Sequence, residues 1–247
     1  MHAETVYFLS IVPVAMERCF IVADILAQVY EEPYTEYGLI GLATQSKPFH
    51  VVATPVLPGQ RVTAVSVYQS GHNVFRLRRE MHILSERLGQ PLVPIAFIHR
   101  HPGGCGMSLT DEEFLTGAFA DQVSTVVALS ERRIIQLGDF NCRCEEIEKL
   151  VQQNLRGNME REPVTIEYSV CFSIIVNRER EFSIDAAREQ FCPFCKKSTV
   201  RLVPATLHIS PGEQLTEGEL RKLRRQLEVE IEAKLEFERS AKIEWLS

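Results

Sequence analysis

The chain has 247 residues, 45% of them hydrophobic and 24% charged, and carries a formal net charge of −6. That is the composition of a globular protein long enough to bury a large core; its acidic balance argues against a phosphate-binding surface, so nucleic acid is not an expected partner. No apolar run approaches the ~20 residues needed to cross a bilayer, so no membrane association is expected.

Residues 5–12, TVYFLSIV, have the look of a short strand. Pro13 is suited to a first helical turn and opens a segment in which Val14, Cys19, Val22, Ile25, Leu26 and Val29 recur at helical spacing. Pro33 should end that helix. With Glu4 early and no basic leader, this start reads as strand and helix rather than as an export signal. Residues 36–45 and 49–59 come next as strands, where Gly38 and Gly41 point to close backbone approach. A second helix is expected over 73–90, stopped by Gly89, and then a buried strand over 91–99.

Thr110 and Glu113 have capping-box spacing at the start of another helix. STVVALS and RIIQLGDF read as two strands around a turn at Ser130, Glu131 and Arg132. The segment EEIEKLVQQNLRG patterns as an amphipathic helix, and 164–177 as strand. From about residue 188 the character changes: a CPFC knuckle, the strand-like STVRLVPATLHI, and a charged helix from Thr216 with Leu220, Leu223, Leu227 and Ile231 on one face. Thr216 and Glu219 make a second capping box. The mixed order of strands and helices implies an α/β (α+β) class, a three-layer or α+β core with a small C-terminal extension. The expected division is a main domain over 1–187 and a C-terminal extension over 188–247.

The stretch FIHRHPGGCGMSLTDEEF, residues 97–114, concentrates the chemistry. His99 and His101 sit two apart at a strand end, so both rings point to one face. Pro102 and the glycines turn the chain, and Asp111 falls on the first turn of the next helix, where the helix dipole favours a carboxylate. Two nitrogens and one oxygen suit zinc, and three protein ligands leave a coordination position for water, as in catalytic sites. Hydrolysis needs an acid/base and an oxyanion donor as well. Glu36, in YTEYGLIGL, is the candidate base, with Glu31 and Glu32 as substitutes; Ser108 is the candidate donor.

The pattern H-x-H-P…S-x-x-D, with a glutamate in an E-x-G-L-x-G strand upstream, resembles the JAMM/MPN (Mov34–JAB) metallo-isopeptidases over roughly residues 5–180. The resemblance implies a cytidine-deaminase-like fold with a central mixed sheet flanked by helices, a zinc ion on His99, His101 and Asp111, Glu36 as general acid/base and Ser108 supporting the tetrahedral intermediate. It implies cleavage after the C-terminal residue of ubiquitin or a ubiquitin-like protein. The chain departs from the family in a His101-to-Ser108 interval one residue shorter than usual and in Arg100 between the histidines. The short loop and the appended cysteine pair look bacterial, which points to an operon with activating and conjugating (E1/E2-like) partners, some of which serve in defence against phage. Two rivals stand beside this reading: an MPN scaffold without catalysis that binds a ubiquitin-like protein, and a metal-dependent hydrolase of small amides.

The seven cysteines, an odd number, fit free thiols in a reducing cytoplasm better than a disulfide framework. Cys192 and Cys195 form half of a zinc ribbon with no similar pair downstream. Cys142 and Cys144 complete a four-thiolate site if the fold brings them near; otherwise the knuckle carries free thiols.

Overall fold

The structure, a computed structural model, describes residues 6–28, 37–57, 60–62, 67–68, 71–101, 104–117, 129–136, 142, 144–146, 148–149, 152 and 163–237. Its strands are β1 (Tyr7–Ile11), β2 (Gly38–Thr44), β3 (Lys47–Ala53), β4 (Gln60–Val62), β5 (Val67–Tyr68), β6 (Leu92–Arg100), β7 (Leu129–Gln136), β8 (Pro163–Val176), β9 (Phe182–Phe191), β10 (Ser198–Val203), β11 (Ala205–Ile209) and β12 (Leu235–Phe237). The helices are α1 (Pro13–Gln28), α2 (Gly71–Leu88), α3 (Leu109–Gly117) and α4 (Glu217–Lys234). Among the described residues no helix is long and apolar enough to cross a membrane.

The main sheet is mixed, nine-stranded and nearly closed, in the order β10-β9-β8-β6-β2-β3-β1-β11, with β7 added against β8. β6 and β8 are parallel, as are β1 and β3 and β1 and β11; the other pairs are antiparallel. β4, β5 and β12 form a small second sheet. Two apolar clusters cover the two faces of the main sheet. One joins Leu9, Ile98, Phe172, Ile174 and Ala186 to α1 and α4; the other joins Phe97, Cys171 and Ala187 to Leu77 of α2 and Leu115 of α3.

α1 is buried on nearly every side, wider than a single stripe, because the sheet covers one flank and α4 the other. Leu223, Leu227 and Ile231 are the buried face of α4, with Leu220 partly covered. The helix begins at the expected cap: the Thr216 hydroxyl donates to Glu219 (2.7 Å), whose backbone N–H donates back to Thr216 Oγ1 (3.3 Å). α2 ends as its glycine requires. Gly89 sits at φ 67°, Gln90 N–H donates to Ser85 O (3.1 Å) and Gly89 N–H to Glu86 O (3.2 Å), a paired closure that satisfies the last carbonyls.

One expectation is corrected. There is no turn at Ser130, Glu131 and Arg132; β7 runs straight through them, paired with β8 from Leu129 opposite Val170 to Gln136 opposite Pro163. The polar residues here do not break the strand, because pairing across a ladder overrides local turn preference. The expected boundary after residue 187 falls inside β9, and residues beyond it supply β10, β11 and the core residues of α4.

α4 is also held by charge. Glu230 accepts from Arg18 Nη2 (2.6 Å), Lys234 Nζ (3.1 Å) and Val56 N–H (3.0 Å), and Lys234 reaches Glu80 of α2 (2.6 Å). Burial alone would raise the Glu230 carboxyl, but Arg18 and Lys234 outweigh it and hold it below its ordinary value. A depressed carboxyl contributes stability above the unfolded-state pKa and loses it as pH falls through the folded one. Glu230→Gln should therefore cost about 2 kcal/mol at neutral pH. It should also flatten the acid limb of thermal stability as pH falls below the ordinary glutamate value, measured as Tm against pH for both proteins.

Candidate metal centre

β6 is the strand on which the centre is built. It lies between β2 and β8, with Gly38 opposite His99 on one side and Ile175 opposite His99 on the other. Alternation puts Phe97 and His99 on the α3 face, and the strand's last turn brings His101 to the same side. The ring of Phe97 stacks on His99, centroids 5.3 Å apart. Gly38 is obligatory beside them, since a Cβ there would lie 2.9 Å from Phe97 Cε2 and from Leu57 Cδ1. Arg100, between the histidines, alternates to the opposite face and is fully buried; burial lowers its guanidinium from the ordinary value.

α3 supplies the acid. Its cap is Ser108 with Asp111, two residues earlier than the expected Thr110 with Glu113. The Ser108 hydroxyl and backbone N–H both donate to Asp111 Oδ2 (2.6 and 2.8 Å), and Asp111 N–H donates to Ser108 Oγ (3.2 Å). A serine with an acid three residues later satisfies first-turn donors reciprocally, as a glutamate would. The result aims Asp111 at the histidines. Oδ1 lies 2.9 Å from His99 Nε2 and Oδ2 lies 3.2 Å from His101 Nε2, with the two ring nitrogens 3.1 Å apart.

These distances fit zinc. Ligand bonds near 2.0–2.2 Å in a tetrahedron separate neighbouring ligand atoms by roughly 3.3 Å. The donor set has the right chemistry too. Burial pushes the His99 imidazole below its ordinary pKa, past the opposing pull of Asp111, and so favours a neutral ring. Burial opposes the charge on Asp111, but hydrogen bonds with His101, His99 and Ser108 outweigh it and hold the carboxyl well below the usual carboxylate range. His99 Nδ1 is buried with no hydrogen-bond partner among the described residues. The geometry accounts for His99, His101, Asp111 and Ser108 together. Glu36, with Glu31 and Glu32, lies outside the described residues; the chain is described from Tyr37, whose carbonyl accepts from Arg100 N–H (3.1 Å).

Asp185 is a carboxyl on this face that sequence reasoning missed. It stands on β9 opposite Ser173, which in turn pairs with Phe97. Burial, then the charge of Asp111, raises its pKa. An aspartate in an alternating strand reads as solvent-facing, so only the register could have found it. Cys105 lies in the loop before Ser108, its carbonyl accepting from the Ser183 hydroxyl.

The other expected ligand group also comes together: Cys142, Cys144, Cys192 and Cys195 bring their sulfurs within 4.8 Å of one another. None of the seven cysteines is in a disulfide. No protein-family model matches the chain, and no curated protein matches it in sequence.

Removing the Ser108 hydroxyl leaves Asp111 without its hold. Ser108→Ala should weaken zinc binding about 10-fold, a typical cost of losing a partner behind a ligand, whereas Asp111→Ala should lose zinc at this centre. Chelator competition monitored by a metallochromic dye measures both.

Proposed function

We propose that the chain is a zinc-dependent isopeptidase of JAMM/MPN type, acting on the C-terminal tail of ubiquitin or a ubiquitin-like protein. The observation that carries the reading is the convergence of His99, His101 and Asp111 on one point, from a strand end and a helix start joined by a glycine-containing turn. The motif supplies the reaction class. His99, His101 and Asp111 would hold the zinc ion, which would supply the Lewis acidity that makes water a nucleophile near neutral pH and polarises a carbonyl.

The rest is done by the chain's own groups. Glu36 takes the proton of the attacking water and returns it to the leaving amine. The register supports that assignment: Gly38, the last residue of the E-x-G motif, pairs with His99. Ser108, exposed at the rim, holds Asp111 through its backbone N–H and its hydroxyl; the single hydroxyl proton turns from Asp111 to the developing oxyanion while the N–H keeps the carboxylate in place. Gly104 and Gly106 are exposed, with open space where side chains would be. An extended tail lies along this loop, its backbone pairing as an added strand.

The test is a matched set of variants against linear fusions of ubiquitin, and of a ubiquitin-like protein, to a reporter. Glu36→Gln should keep zinc and lose cleavage by about 10³-fold, while Asp185→Asn should keep both. Full turnover by Glu36→Gln with a dead Asp185→Asn would move the base to Asp185. Wild-type protein that holds zinc but cuts short peptides and leaves both fusions intact would replace the isopeptidase with a small-amide hydrolase. Protein purified without zinc at the histidines would leave only a binding scaffold.

A further inference from the structure

The four cysteines lie outside the centre described above and outside its chemistry. β9 begins at Phe182, opposite Val176, whose carbonyl accepts from His101 N–H, and ends at Phe191, one residue before Cys192. Ten residues of strand separate the two clusters by roughly 30 Å. Whatever the cysteines hold takes no part in the reaction.

Their spacing is that of a bound metal. Cys142 Sγ and Cys195 Sγ are 3.6 Å apart, Cys144 Sγ and Cys192 Sγ 4.0 Å. Four sulfurs at about 2.3 Å from a tetrahedral zinc are separated by roughly 3.8 Å, between those two values. A disulfide would need about 2.05 Å. The local backbone is shaped for the same end. Lys196 N–H donates to Cys192 O (3.0 Å), Cys192 N–H donates to Lys197 O (2.9 Å), and Lys196 takes a left-handed φ of 61°. This tight turn points Cys192 and Cys195 the same way. Across from it, the Cys144 carbonyl accepts from Glu148 N–H (3.0 Å) as a helical turn begins. Cys192 and Cys195 thus share one turn, Cys144 opens another, and the four sulfurs meet between them.

We propose that Cys142, Cys144, Cys192 and Cys195 bind a structural zinc ion that staples the segment after β7 to the β9–β10 hairpin. Four thiolates complete the tetrahedron and leave no position for water, which is the mark of a structural site. The topology gives the staple a purpose. β8 carries β7 along Pro163–Val170 on one edge and β9 along Tyr168–Val176 on the other, and the cysteines tie together the segments into which those two strands lead. The turn itself has little core: Phe191 and Phe194 beside it are exposed. The inference does not depend on the isopeptidase reading, because it concerns different ligands.

The test counts zinc in the full-length chain purified without chelators. Wild type should hold two zinc ions per chain, the double variant His99→Ala/His101→Ala one, and that remaining ion should be released by a mercurial thiol reagent. Cobalt exchanged into the double variant should give the intense visible bands of tetrahedral thiolate coordination. Cys142→Ser/Cys144→Ser, which leaves the turn at residues 192–197 intact, should hold one ion and melt at lower temperature. Zinc-free His99→Ala/His101→Ala protein with four freely reactive thiols would overturn the proposal, and iron in the thiolate site would overturn the metal's identity. Loss of zinc from wild type at the histidines alone would strike the isopeptidase reading and leave this one standing.

Discussion

Everything at the candidate centre depends on three lone pairs being forced together. Two imidazole nitrogens and a carboxylate meet at about hydrogen-bond separation in a largely buried place. Uncompensated, such an arrangement is costly, because burial removes the water that would separate the charges and dipoles. The chain enforces it from two directions. β6 cannot slide, because it is paired on both sides and a one-residue slip would swap Phe97 and His99 with Ile98 and Arg100 across the sheet. α3 cannot turn away, because Ser108 holds Asp111 by hydroxyl and amide together. A cation would relieve it, and His99, His101 and Asp111 are placed so that they could hold one.

The same logic of anchoring extends to the C-terminal part. β11 pairs with β1 and α4 covers α1, so the last described segment finishes the core around the first. Glu230 reaches from α4 to Arg18 of α1 and to the backbone at Val56, while Lys234 reaches Glu80 of α2. Such an ion network is not a large source of stability by itself, since desolvation offsets much of the attraction. Its contribution is orientation: it fixes one helix relative to two others and to the loop after β3.

The features legible in the sequence are those set by short-range rules. Pro13, Gly89 and Thr216 mark helix ends by the donors and carbonyls they satisfy, and the structure uses each of them so. The histidine pair is legible because alternation in a strand is rigid. The capping pair of α3 is ambiguous by two residues, Thr110 against Ser108, because both hydroxyl residues precede an acid by three positions, and the structure selects Ser108. β7 reads as two strands because polar residues at an edge resemble a turn. Asp185 is invisible, since its place beside the centre comes from the pairing of β9 with β8 and of β8 with β6, which no local pattern encodes. The meeting of Cys144 with Cys192, 48 positions along the chain, is equally non-local.

β9 connects the two clusters, and their chemistry differs for a reason the sheet makes plain. At the Phe182 end, the histidines are embedded among β2, β6, β8 and α3, so packing already holds them and the ligand set can remain incomplete on one side. At the Phe191 end the chain turns back into β10 at the rim of the sheet, with aromatic residues exposed. Too little apolar surface is covered there to fix a turn against its conformational entropy. A closed set of four thiolates would serve such a place once it held a metal, because metal binding free energy is folding free energy. An open ligand set therefore belongs where the core is thick and a closed one where it is thin, which is how this fold distributes its metal-ligating residues.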